Sequence, residues 1–185
     1  MMSNLALSCD RYAYADYEKW DEDFRCELIG GIVYMMSAPD MWHQRVVTTL
    51  SRKLGNFLEG KSCEPFVAPF DVRLFPRKDG SDDNVVQPDV IVVCDEKKLS
   101  DGKACVGAPD IVFEVLSDST KIMDLRVKKE LYESAGVKEY WVVAKEYAIR
   151  WLWKNDRDEE LRFMRVNEVI SMQVETLQTV IELDT

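Results

Sequence analysis

Histidine is nearly absent: the 185 residues contain one, His43. The five cysteines, Cys9, Cys26, Cys63, Cys94 and Cys105, are odd in number and scattered, and even the nearest two lie eleven positions apart. That pattern excludes a Cys/His zinc site and a dense disulfide framework, so most of these cysteines are expected to be small core side chains. Long hydrophobic runs are also missing. Runs such as Val90 to Cys94 and Trp141 to Ala144 fall far short of a membrane span. Met1 to Asp16 has no basic stretch followed by a long apolar one, so no signal peptide is expected and cytoplasm is the expected location. No repeat or low-complexity segment is present, and neither are a phosphate-cradling glycine loop, a Gly-x-Ser-x-Gly elbow or a Cys-His pair. Several common enzyme classes therefore lack support. Positive charge is scarce too, with 24 Lys and Arg against 34 Asp and Glu, for a net −10. Such a chain repels polyanions, so any phosphate chemistry needs local cations or a metal ion.

What is present is a core. Apolar residues make up 46% of the chain, with five Trp, seven Tyr and seven Phe. The length suits a single domain over 1–185. The patterns predict a short helix within Tyr14 to Asp21, and a hairpin of Arg25 to Ile29 and Ile32 to Met36 about Gly30-Gly31. They predict a helix from Asp40, as N-cap, to Glu59. Phe66 to Phe75 is strand-like but interrupted by Pro69. Pro76 to Asn84 reads as an exposed loop, and Val85 to Cys94 as a strand beginning or bulging near Pro88. Asp95 to Pro109 reads as connection, Ile111 to Leu116 as a strand, and Thr120 to Ala135 as a helix stopped by Gly136. Glu139 to Ala144, Tyr147 to Trp153, Leu161 to Val166, Val169 to Val174 and Val180 to Leu183 complete the strands. Mixed strands with two long helices predict an α/β (α+β) fold with a mixed central β-sheet flanked by helices.

Two of these strands each carry a carboxylate. Asp89 stands at the mouth of Val90 to Val93, and Glu114 interrupts Ile111 to Leu116. Carboxylates buried side by side repel unless a cation lies between them, and hard oxygen ligands suit Mg²⁺ or Mn²⁺. Either acid alone is equally explained by hydrogen bonds from a loop or a lysine partner. Asp124, Lys128 and Tyr132 are spaced four apart and share one helix face, from which Lys128 can turn back towards the acids. By itself, an Asp-to-Lys pair at this spacing is an ordinary surface pair.

Pro88-Asp89 followed by Glu114-Val115-Leu116 resembles the PD-(D/E)XK nuclease signature. A longer series resembles the Uma-type restriction endonucleases of that superfamily: Cys26 to Gly31, His43 to Val46, Pro69 to Leu74, Val86 to Asp89, Gly107 to Asp110, Glu114 to Ser117, Lys128 to Tyr132 and Ala135 to Trp141. The series keeps the family's order from about residue 24 to 145, a core with C-terminal strands beyond it. The resemblance implies a restriction-endonuclease-like fold and a metal-dependent endonuclease acting on nucleic acid, with DNA as the substrate. It implies a metal held by Asp89, Glu114 and the Val115 carbonyl. Leu116 stands where the superfamily has its lysine, and Lys128 is implied as the replacement. Glu27 resembles an extra acid near the metal, or is a polar residue on a hairpin's solvent face. His43 would contact a phosphate or orient water, or is a partly buried structural residue. Asp71 and Asp124 are weaker candidates, and Asp118 departs from the family's Ser-Pro-Ser. Arg45, Arg73, Arg77, Lys78, Lys121 and Arg126 are candidate backbone guides. A double-strand cut calls for two sites and hence a homodimer. Two other readings are a catalytically silent binding or assembly module and a hydrolase of a small phosphate ester.

Overall fold

The computed structural model describes residues 10–21, 23–117, 120–154, 157–166 and 168–184. Cys9 and Asp118 lie outside the described residues. The chain begins with a short helix, α1 (Tyr14–Tyr17), and a hairpin of β1 (Cys26–Ile29) and β2 (Ile32–Met35). Gly30 and Gly31 both have positive φ, 57° and 78°, as a tight two-residue hairpin requires. A Cβ at Gly31 would meet Arg11 Cβ and Tyr12 O at 3.2 Å. Next come α2 (Met41–Leu58), β3 (Glu64–Val67), β4 (Asp71–Arg73), β5 (Val85–Val86) and β6 (Val90–Val93). After a 3₁₀ turn over Glu96–Leu99 follow β7 (Ala104–Val106) and β8 (Ile111–Val115). A π-helical stretch, Met123–Lys128, runs into α3 (Lys129–Ala135). The strands β9 (Glu139–Val143), β10 (Tyr147–Lys154), β11 (Arg157–Met164), β12 (Ile170–Val174) and β13 (Thr179–Leu183) end the chain.

The strands form a six-stranded mixed sheet in the order β11-β10-β9-β8-β6-β3, a five-stranded sheet in the order β2-β1-β5-β4-β7, and the β12-β13 hairpin. Only β8–β9 and β4–β7 pair in parallel among the described strands. Alternation sends the two faces of the larger sheet into different cores. Val90, Val92, Ile111, Phe113, Val115 and Trp141 pack with Val46, Leu50, Leu54 and Leu58 of α2 and with the β12-β13 hairpin. Ile91, Val93, Val112, Tyr140 and Val142 face the other way, against Tyr132 of α3 and Val72 and Val86 of the smaller sheet. Asp40 caps α2 by accepting from the His43 backbone N–H at 2.8 Å.

Three expectations change. The 95–109 connection contains β7, whose three residues are too short to show a period. The helix expected over Thr120 to Ala135 starts as a π-helix. The cysteines are not all core side chains: Cys26 and Cys105 are buried and free, but Cys63 and Cys94 form a disulfide. Spacing misses this bond because its ends lie 31 residues apart and meet only through the pairing of Glu64 with Val93. Closing a loop of that length stabilises by about 4 kcal/mol. Thermal melts with and without reductant should therefore differ by several degrees, the reduced protein melting lower.

Glu139 is fully buried at the head of β9. Its carboxylate accepts from Trp141 Nε1 (2.8 Å), Glu175 N (3.0 Å) and Thr176 N (2.6 Å). It thereby ties the β12-β13 turn to the sheet. Glu139→Gln turns one acceptor oxygen into a donor facing N–H groups, and should lower unfolding stability by about 1–3 kcal/mol in a denaturant titration.

Candidate active site

Pairing of β6 with β8 sets Val90 opposite Phe113. Just outside that ladder, Asp89 precedes Val90 and Glu114 follows Phe113, which brings the two acids to the same end of the strand pair. The backbone bends at Pro88, where the pairing of β5 has ended and that of β6 has not begun. Asp89 Oδ2 accepts from Val115 N (2.7 Å) and contacts His43 Nε2 (3.1 Å). The hydrogen bond fixes the acid against β8, and α2 delivers the imidazole one turn from its N-terminus. Burial alone would lower the His43 pKa, but the Asp89 hydrogen bond and charge outweigh it, and the net shift is upward. His43 Nδ1 is buried without a hydrogen-bond partner.

Glu114, 4% exposed, lies deeper. Its Oε1 accepts from Lys128 Nζ (3.0 Å) and Tyr132 OH (2.7 Å). Lys128 Nζ also lies 2.8 Å from Glu27 Oε1 and 3.8 Å from Asp124 Oδ1. The wide π-helical turn aims Asp124 and Lys128 inward together, and α3 adds Tyr132 one turn later. Burial pulls the Lys128 pKa down, but Glu114, Glu27 and Asp124 together raise it well above its usual value. Burial pushes Glu114 well above the carboxylate range against the pull of Lys128. Asp124 is pushed to about 6, again chiefly by burial.

The cluster thus gathers Glu27, Asp89, Glu114 and Asp124 around one lysine and His43. Glu27 is buried rather than on the hairpin's solvent face, and its Oε1 also accepts from Gln87 N at 2.9 Å. These groups line a cavity of about 520 Å³, together with Val115 and residues of β2 and α2. Asp71 stands outside its lining and holds Gln87 Nε2 (2.8 Å) and Tyr17 OH (2.9 Å). None of the six candidate guide cations lines the cavity, and Arg73 is taken up by Asp82 at 2.7 Å. Arg25, which the sequence reading passed over, is the one exposed cation among the described lining residues. Tyr132 was likewise given no role, although its spacing from Lys128 placed it on the same face.

Among the described residues, no three His, Cys, Asp or Glu side chains are gathered as a ready metal cage. Glu27, Glu114 and Asp124 face Lys128, and Asp89 faces His43. Carboxyl groups crowded into a buried site are hard oxygen donors of the kind a divalent cation takes.

The family model for Uma2, described as "Putative restriction endonuclease", matches residues 14–184. The chain belongs to this family. Among solved structures, the crystal structure of a putative nuclease belonging to DUF820 from Anabaena variabilis ATCC 29413 matches with a TM-score of 0.66. It is 14% identical, and the match covers 90% of this chain and 91% of that one. At that identity the likeness speaks for the fold, a mixed α/β nuclease architecture. A comparison with curated proteins finds no match. No described helix is long and apolar enough to cross a membrane.

Proposed function

We propose that this protein is a Mg²⁺- or Mn²⁺-dependent endonuclease that hydrolyses DNA phosphodiester bonds, with Asp89, Glu114, Lys128, His43 and Glu27 as its working residues. The observation that carries the reading is that Asp89, at the entrance to β6 and hydrogen-bonded to Val115 N of β8, and Glu114 of β8, ion-paired to the buried Lys128, line one cavity. Asp89, Glu114 and the Val115 carbonyl would hold the cation. When bound, it supplies Lewis acidity and a more acidic water. Around it, Val115 N–H and His43 orient Asp89, while Tyr132 and Lys128 orient Glu114. His43 would act through Asp89, whose Oδ2 it contacts at 3.1 Å, by keeping that carboxylate turned towards the cation. The Lys128 ammonium offers positive charge to the phosphoryl oxygens as they gain negative charge. Water's oxygen forms the new P–O bond, one ester P–O bond breaks, and the departing oxygen takes a proton. One chain carries one such site, so cutting both strands of a duplex would need two copies, the basis for a homodimer.

The enclosure of the site favours a second reading, a hydrolase of small phosphate esters. Incubation of the protein with supercoiled, linear and single-stranded DNA and with bis(p-nitrophenyl) phosphate, in Mg²⁺, Mn²⁺ or EDTA, separates the two. Metal-dependent DNA cleavage supports the nuclease. Hydrolysis of the small ester alone supports the second reading, and neither activity would leave a silent nuclease fold.

A further inference from the structure

The cavity has more to it than its acidic floor. Its lining includes apolar residues just after β2, on α2 and at the end of β3: Met36, Val47 and Val67. A phosphate gains nothing from such groups, whereas the face of a nucleobase packs against them. Tyr34, also in the lining, adds an aromatic ring of the kind on which unpaired bases stack. Gln44, Thr48 and Ser51 project into the same space from α2 and carry donors and acceptors suited to a base edge. The acids are recessed, with Asp89 15% and Glu114 5% exposed at the side chain.

Charge points the same way. Proteins that grip duplex DNA neutralise many phosphates, and each adds to affinity. Here the chain carries net −10, and Arg25 is the one exposed cation among the described lining residues. Affinity from the backbone is therefore small, and contacts with a base must supply the rest.

We infer that the cavity receives an unpaired nucleotide, base included, so that the enzyme cuts single-stranded DNA or a nucleotide extruded from a duplex, and leaves a perfect duplex intact. The inference rests on the phosphodiesterase reading and names its substrate. A stacked, paired nucleotide cannot enter, since taking a base out of a duplex costs a few kcal/mol that the weak backbone grip does not supply. One site per chain suits one strand.

The test measures cleavage by the full chain in Mg²⁺ or Mn²⁺ of one sequence in three forms: single strand, perfect duplex, and duplex with one extrahelical nucleotide. A mononucleotide p-nitrophenyl ester is the fourth substrate. The single strand should be cut at least about tenfold faster than the perfect duplex, and the bulged duplex should be cut at its extra nucleotide and nowhere else. Binding of single strand to Asp89→Asn should weaken only gently with salt, with a log–log slope of about −1 for one or two phosphates neutralised. Thr48→Trp, at an exposed lining position, should slow oligonucleotide cleavage while the protein stays folded. Perfect duplex cut as fast as single strand overturns the inference and leaves the nuclease standing. Hydrolysis of the mononucleotide ester alone also overturns it. Absence of all hydrolysis removes the phosphodiesterase reading, and this inference with it.

Discussion

Asp89→Asn should cut DNA about 10³-fold more slowly than the parent protein, the order expected when a group central to catalysis is lost. The change is nearly isosteric, and the remaining carbonyl oxygen can still accept from Val115 N–H, now 2.7 Å from Oδ2. The fold should therefore persist, with little change in Tm. What disappears is the negative charge beside Glu114 and His43, and with it a hard oxygen donor for the cation. Calorimetric titration with Mn²⁺ should show weaker binding alongside the lost cleavage. A variant that bound metal and cut DNA within a few fold of the parent would remove Asp89 from the site. Asp89→Ala is the harsher companion, since it also strands the Val115 N–H and the imidazole.

Lys128→Met should both destabilise and inactivate. The lysine is 5% exposed and is the cation nearest Glu27, Glu114 and Asp124. Methionine fills much of its volume but leaves those acids uncompensated, and breaking a buried ion pair from one side costs about 3–5 kcal/mol. The loss should depend on pH. Asp124 sits at about 6 in the folded protein against an ordinary 3.8. Such a raised carboxyl binds its proton more tightly folded than unfolded, so protonation favours the fold below the raised value. Without Lys128, which lowers the Asp124 pKa in the parent, the variant's value lies higher still, so the deficit should be greatest above that value and shrink as the pH falls through it to about 6. Urea titrations at pH 7.5 and pH 5 would reveal this, and an equal deficit at both values would argue against a charge origin. Glu27→Gln in the Lys128→Met background should recover part of the loss by removing one of the stranded charges.

Glu114 and Glu139 show how far the sequence could be read. Both are glutamates in strongly apolar strands, and both are buried. Glu139 meets three N–H groups and holds a turn, whereas Glu114 meets a lysine and a tyrosine in the cavity. Nothing in the flanking residues separates these fates, because the partners come from positions distant in the chain. Asp89 and Glu114 were legible through Pro88 and through the family's ordered motifs. The two-residue turn at Gly30-Gly31 and the Asp40 cap were legible because local backbone chemistry decides them. The Cys63–Cys94 bond, β7 and the burial of Glu27 depend on pairings over long separations, which periodicity does not record. The place of Arg25 at the cavity is hidden for the same reason: the β1–β2 hairpin carries it there, and no neighbour in sequence announces it.

The cavity's floor and its walls have separate origins. Glu114 lies on β8 and Asp89 at the entrance to the neighbouring β6 of the largest sheet, which is packed on both faces by the two cores. The walls come from β2, residues 37–40 and one side of α2, nearer the surface. Substitutions in the walls can therefore accumulate without shifting the acids, whereas a change in the sheet disturbs everything at once. Such a division makes the molecule easy to retarget: a new ligand preference can be drifted into, or engineered, along Met36 to Pro39 and at Gln44, Thr48 and Ser51, while the acidic floor is inherited whole.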